Sequence, residues 1–247
     1  MRRVNKRLRF SITHLLISIF IGLLLSWMIF LLWYPSPLNQ ATGILTIFFM
    51  LLIIDVILGP FLSWLVYKEG KKTLIFDLIV IVLLQISALS YGIYNIIQAR
   101  PVWIVYSVDR FDLIRYNEIY NKNIAQASKE FQQPSWFKPQ YVATQFASNR
   151  KQREIEMFEA IFSGLDISQR PERYVHLSKV KHQIQQRSQN LELLKQFNDQ
   201  QSVQKILAKY PQADAFVPLK ATAVDMTVLI DKEKGEVVKI VDLRPWK

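Results

Sequence analysis

The chain has 247 residues, with 31 Lys and Arg against 20 Asp and Glu, a net charge of +11, and no cysteine. The lack of thiols excludes disulfides and thiolate-bound metals, so any exported part must rely on its own core. Mean hydropathy is only +0.12, which fits a chain divided between lipid and water.

Arg2, Arg3, Lys6, Arg7 and Arg9 open the sequence without an acid among them. Three apolar runs follow, Ser11 to Trp33, Ile44 to Tyr67 and Leu74 to Ile97, each 23 or 24 residues long. At ~1.5 Å of rise per residue, each can cross a hydrocarbon core ~30 Å thick. The first is too long for a secretory leader and has no small-x-small cleavage site before Trp33, so it is expected to be retained. Pro35 to Gly43 carries no charge, whereas Lys68 to Thr73 holds Lys68, Lys71 and Lys72 against Glu69. Short basic segments stay cytoplasmic, which predicts an inside N-terminus, an outside first connection and an exported C-terminal part. Trp33 with Tyr34, Trp64 with Tyr67, and Tyr91 with Tyr94 fall where interfacial aromatic belts are expected. The predicted domains are a basic cytoplasmic N-terminus (1–10), a three-helix transmembrane domain (11–97) and an external domain (98–247).

Polar and small residues form stripes in the spans: Ser18, Gly22 and Ser26; Asp55, Gly59 and Ser63; Asp77, Gln85, Ala88 and Gly92. Such faces let helices approach closely, either within the protein or against a partner helix. Asp55 lies near the middle of its run, where ionisation costs at least ~2.5–3.5 kcal/mol, so it should face protein and be neutral or paired. Gln85, at similar depth, is the expected hydrogen-bond partner. Pro60 after Gly59 removes a backbone donor and predicts a kink beside Asp55. With Asp77 counted as its one ionisable companion in the membrane, a proton relay is disfavoured.

The remaining 150 residues read as α+β, so the fold class is three transmembrane helices followed by an α+β domain. Val102 to Arg110 alternates as a strand. Asn117 to Gln133 reads as a polar helix, and Pro134 and Pro139 bracket Trp136-Phe137 in a loop. A helix from Lys151 to Phe162, ended by Gly164, carries an apolar face of Ile155, Phe158, Ala160, Ile161 and Phe162. Leu177 to Phe197 reads as a solvated helix, Ala215 to Leu219 as a strand. Ala223 to Asp231 and Glu236 to Leu243 form a hairpin turning at Lys232 to Gly235.

No phosphate loop, nucleophile elbow or zinc-protease motif is present, so no catalytic residue, cofactor or metal is expected. His176 and His182 are six apart and do not share a helical face as i, i+4 ligands would. Glu154, Glu156 and Glu159, beside Arg150, Lys151 and Arg153, read as a solvated, salt-bridged face. Of the basic residues, 23 stand in the external part against 17 acids, a net charge of about +6. None forms a recognisable nucleic-acid module, so no nucleic-acid partner is expected.

Several fragments carry a resemblance: Asp55-Val56-Ile57-Leu58-Gly59-Pro60, Ala99-Arg100-Pro101-Val102, Val108-Asp109-Arg110-Phe111, Arg170-Pro171-Glu172-Arg173-Tyr174, Asp225 to Asp231, and Arg244-Pro245-Trp246. Together they resemble the TfpX/TfpZ family of type IV pilin accessory proteins, with the weakest match between Asn117 and Lys209. The resemblance implies a bacterial inner-membrane, chaperone-like helper with a periplasmic domain. Its partners would be a type IV major pilin, the lipid bilayer and the pilus assembly machinery. Asp55, Gly59, Pro60, Arg100, Pro101, Asp109 and Arg110 are then candidate partner-binding residues, with Asp77 and Gln85 as further polar groups in the membrane. For the four junction residues, the alternative is that they only orient the domain. The competing reading of the whole chain is a membrane-anchored periplasmic sensor or ligand-binding module acting through a partner.

Reporter fusions test the topology. A fusion after Lys71 should report a cytoplasmic location and one after Lys247 a periplasmic location; a cytoplasmic C-terminus overturns the three-span reading.

Overall fold

The computed structural model describes residues 6–246, so Arg2 and Arg3 of the basic N-terminus lie outside the described residues. Three helices are long and apolar enough to cross a membrane: α1 (Lys6–Trp33), α2 (Ile44–Val66) and α3 (Leu74–Gln98). A domain of strands and shorter helices follows them. The chain divides into two compact units, one of residues 1–32 and 44–98, the other of residues 33–43 and 99–247.

In the first unit, α1, α2 and α3 turn most of their apolar side chains outward, as a lipid-facing bundle must. Glycines sit where neighbours leave no room for a Cβ. One at Gly92 would stand 2.4 Å from Leu51, and one at Gly22 would stand 3.1 Å from Leu52. The small-residue stripes therefore serve helix packing within this bundle, at least at these positions.

The second unit is built on a mixed sheet. Its strands are β1 (Pro101–Ser107), β2 (Arg110–Arg115), β3 (Gln140–Thr144), β4 (Tyr174–Val175), β5 (Gln189–Asn190), β6 (Ala215–Lys220), β7 (Met226–Asp231) and β8 (Glu236–Val241). They run in the order β4-β3-β1-β2-β6-β7-β8, with β5 paired to one end of β6. β1 pairs parallel with β3 and antiparallel with β2; β2 pairs parallel with β6. Among the described residues, three helices of seven residues or more accompany the sheet, α4 (Arg150–Ser163), α5 (Lys181–Arg187) and α6 (Gln200–Leu207), with shorter ones at Leu38–Ala41 and Lys129–Gln132.

β1 ends earlier than its alternation predicts. Val108 leaves the strand with φ +59 and stands exposed in the turn to β2. Both faces of β1 are covered: Ile104 and Tyr106 join one core cluster, and Trp103 and Val105 join another. The β7–β8 hairpin forms as predicted, with Gly235 at φ +62 where an L side chain would be strained.

Two predicted helices do not form as such. Asn117 to Gln133 breaks into 3-10 turns and one short helix, because Asn117, Asn121 and Asn123 favour local turns and no apolar stripe holds a longer helix down. Leu177 to Phe197 is divided by the extended residues of β5, and Val180, Ile184 and Leu194 are buried, so it is not a solvated helix.

The uncharged connection between the first two spans lies in the core of the second unit. Leu38 and Ala41 pack in the main cluster with Ile104, Phe111, Val217 and Val228. The Ala41 carbonyl accepts from the backbone N–H of Ala223 at 2.9 Å and of Val224 at 3.2 Å. Gly43, at φ +70, closes the segment against Ala223. Trp33 and Tyr34 are buried here rather than displayed as an interfacial belt. Burial raises the Tyr34 hydroxyl well above its ordinary pKa, against the pull of Arg115 and Arg100.

Leu38→Ala in the full chain should remove part of this core and cost about 2–5 kcal/mol. Limited proteolysis should then cut the region after residue 99 faster, while the same substitution at exposed Leu193 should have little effect.

Candidate functional site

In the membrane unit, the local chemistry begins with Pro60. It has no N–H to donate, and the turn before it, Ile54–Leu58, widens into a π-helical form. The Asp55 carbonyl left by this turn accepts from Gln85 Nε2 at 3.2 Å, and the Pro60 carbonyl accepts from Ser11 Oγ at 2.9 Å. Gly59 permits the contact with Gln85: a Cβ there would lie 1.9 Å from Gln85 Nε2. The sequence-based pairing of Gln85 with the Asp55 carboxyl group is therefore corrected. Gln85 serves the backbone carbonyl that the widened turn frees.

The Asp55 side chain is left over. Among the described residues, neither carboxyl oxygen has a hydrogen-bond partner, and both are buried. They border a cavity of 190 Å³ between the three spans, lined also by His14, Ser18, Gly22, Gln85 and apolar side chains. His14 Nδ1 lies 2.7 Å from Ser63 Oγ. His14 was overlooked as an ionisable group in the spans, although it stands at the fourth position of the first apolar run. Asp77 is elsewhere, in the first turn of α3, 2.6 Å from Lys71 Nζ and accepting from Thr73 Oγ1 at 3.2 Å. It is a helix-end ion pair, placed where the helix dipole favours an acid.

The four junction residues split between two ends of β1. Arg100 is 2% exposed, its guanidinium 4.7 Å from the ring centres of both Tyr116 and Trp136. Burial lowers its pKa, opposed by Tyr116 and Tyr34. Pro101 begins the strand and is buried. Both residues thus fix the start of β1. Asp109 and Arg110 lie at the other end, about 20 Å away at ~3.3 Å per strand residue. Arg110 Nε donates to Asp112 Oδ1 at 2.9 Å, and Arg110 Nη2 stands 3.6 Å from Asp166. Burial raises the Asp112 carboxyl above its ordinary pKa, with Arg110 partly countering it. Tyr106 beside them is pushed up to about 12 by burial and by Asp109.

At this far end a groove of 540 Å³ lies between the β1–β2 turn and α4, lined by Val108, Asp109, Arg110, Phe146, Met157 and Ile167. Asn149 caps α4 by accepting from Lys151 N–H, and Gly164 ends it at φ +66. The helix packs the opposite way to its sequence-based reading. Glu156 points inward, accepting from Arg173 Nε at 3.0 Å and from Gln152 Nε2 at 2.9 Å. Glu159 pairs with Arg170, which is 1% exposed. Two of the three acids expected on a solvated face, Glu156 and Glu159, are therefore its anchor; Glu154 stays exposed beside Arg150 as expected, and Ile155, Met157, Phe158, Ile161 and Phe162 also stand exposed.

Other residues of the quoted fragments act as structural pins. Tyr174 Oη donates to the Ser168 carbonyl at 2.6 Å. Trp246 Nε1 donates to Asp225 Oδ2 at 2.7 Å, and Arg244 reaches the Asp225 carbonyl. Among the described residues, no three His, Asp or Glu side chains converge as a metal would require.

A family model described as "Fimbrial assembly protein FimB" matches residues 2–43. The fimbrial assembly protein of serogroup I from Dichelobacter nodosus is 32% identical over 228 residues, covering 89% of this chain and 88% of that protein. The serogroup E1 protein of the same organism is 33% identical over 229 residues, with the same coverage. The protein of serogroups C1 and C2 is 36% identical over 116 residues, which is 46% of this chain and 88% of that protein. No solved structure matches the chain.

The anchor of α4 should depend on pH. Burial opposes ionisation of Glu156, but hydrogen bonds from Arg173 and Gln152 outweigh it and hold the carboxyl below its ordinary value. A depressed folded-state pKa contributes stability that is complete above the unfolded value, 4.5, and is lost as pH falls through the folded one. Amide exchange in α4, corrected for intrinsic rates, should accelerate relative to β1 as pH drops below 4.5. Glu156→Gln should loosen α4 at neutral pH by about 1–3 kcal/mol and flatten this dependence.

Proposed function

The chain belongs to the fimbrial assembly protein family, and from that premise we propose that it is an inner-membrane accessory protein of the TfpX/TfpZ kind. It binds a cognate type IV pilin, in a chaperone-like and non-catalytic role, and promotes its incorporation into fimbriae. The N-terminus (1–10) is cytoplasmic, the spans within residues 11–97 form the membrane domain, and residues 98–247, together with the connection 33–43, form a periplasmic domain.

The observation that carries this reading is the Asp55 carboxyl group, buried in the spans and left unpartnered beside a cavity. A polar group in that setting is expensive unless a partner meets it. The fold does not use it, since Gln85, Gly59 and Ser63 are satisfied without it. An apolar helix that brings a hydrogen-bond donor or a cation to this depth relieves the cost. A pilin supplies such a helix together with an exported part, so membrane and external contacts on one chain reinforce each other through effective concentration. Gly59 and Pro60 shape the site, and Asp109 and Arg110 are candidate contacts outside the membrane.

Co-purification of the fimbrial subunit with the membrane-extracted chain tests the proposal. Wild type should retain the subunit. Asp55→Asn and Asp55→Leu should lose about tenfold, equivalent to ~1.4 kcal/mol, at unchanged abundance of the chain. Full retention by both variants removes Asp55 from the site. A wild type that retains no subunit, in a strain whose deletion leaves surface fimbriae unchanged, overturns the accessory role.

A further inference from the structure

The outward face of α4 is apolar where a water-exposed helix would be polar. Phe158 is 62% exposed and Phe162 79% exposed, with their rings stacked at 6.0 Å, and Ile155 and Ile161 flank them. Phe146, also exposed, extends the patch along the groove that Met157 lines. Contiguous apolar surface of this kind marks an interaction site. The orientation is enforced: rotating α4 to hide its phenylalanines would break Glu156 from Arg173 and Glu159 from Arg170. The N-terminal turn of the helix carries Arg150, Lys151 and Arg153, and the helix dipole adds positive charge there. Glu154 answers only Arg150 among them.

We propose that this face is a docking surface for a second protein presenting an apolar patch bordered by carboxylates. Resting on the function proposed above, that protein is the exported part of the fimbrial subunit. A second copy of this chain fits poorly. Antiparallel pairing of two α4 helices would set Arg150 and Lys151 opposite Ser163 and Phe162, which offer no carboxylate. Apolar contact supplies the attraction, and the basic turn fixes the direction of docking.

The test places a benzophenone side chain at position 162 of the full chain, in membranes that also contain the subunit. A crosslink to the subunit is expected. A crosslink to a second copy, to lipid alone, or to nothing overturns the proposal. In parallel, Phe158→Gln, Phe162→Gln and Lys151→Glu should each reduce co-purified subunit several-fold, and the two phenylalanine changes together at least tenfold. These side chains are exposed, so protease resistance should match wild type. If wild type retains the subunit and the double variant retains it equally, the surface is wrong while the accessory role stands. If wild type retains none and deletion leaves surface fimbriae unchanged, the accessory role fails and this occupant fails with it; if wild type retains none but deletion removes fimbriae, this occupant alone fails.

Discussion

The connection between the first two spans is part of the core of the domain that follows the third. Leu38 and Ala41 fill the same cluster as β1, β2, β6 and β7, and the Ala41 carbonyl takes two backbone N–H groups that would otherwise need water. A continuous core cannot have a bilayer running through it. On the three-span topology proposed above, residues 33–43 and 99–247 belong on one side of the membrane, with the N-terminus and the second connection on the other. The charge pattern leads to the same expectation, since the segments assigned to the cytoplasm are basic and residues 35–43 carry no charge.

Within the membrane, one missing hydrogen determines a chain of consequences. Pro60 cannot donate, the preceding turn widens, and the carbonyl of Asp55 turns to Gln85. Gln85 can come that close only because residue 59 has no Cβ. The amide that could have neutralised the Asp55 carboxyl group is thereby committed to the backbone. What reads in the sequence as a self-contained polar pair is thus a satisfied backbone beside an unsatisfied acid.

Features set by composition and local turn chemistry were legible in the sequence: the three spans, the basic segments, the strands β6 to β8 and the positive-φ glycine at 235. Features set by tertiary contact were not. Nothing in Pro35 to Gly43 is apolar enough to announce a core segment, because only Leu38 and Ala41 join the cluster and the rest is Pro, Ser, Asn, Gln, Thr and Gly. His14 was visible but hidden by its apolar neighbours. Arg100, Pro101, Asp109 and Arg110 lie close in sequence, yet an extended strand carries each pair to an opposite end. Helical periodicity gave α4 its extent and both of its faces, but it does not say which face is inward. That choice was made by buried Arg170 and half-buried Arg173, whose guanidinium groups require carboxylates.

This inversion explains how one short helix can be rigid and sticky at once. A helix held by its apolar face has nothing left to offer a partner, and a helix held by nothing would fray in water. α4 avoids both limits by using ion pairs to Arg170 and Arg173 as its foundation, shielded enough to be stronger than surface pairs. Both arginines belong to the Arg170 to Tyr174 fragment, whereas Phe158 and Phe162 belong to none of the fragments that carry the resemblance. Anchor and contact surface are thus separate sets of side chains on one element. The exposed set can change in size and shape without disturbing Glu156 or Glu159, and a fold organised this way can keep its framework while its specificity for a partner is altered.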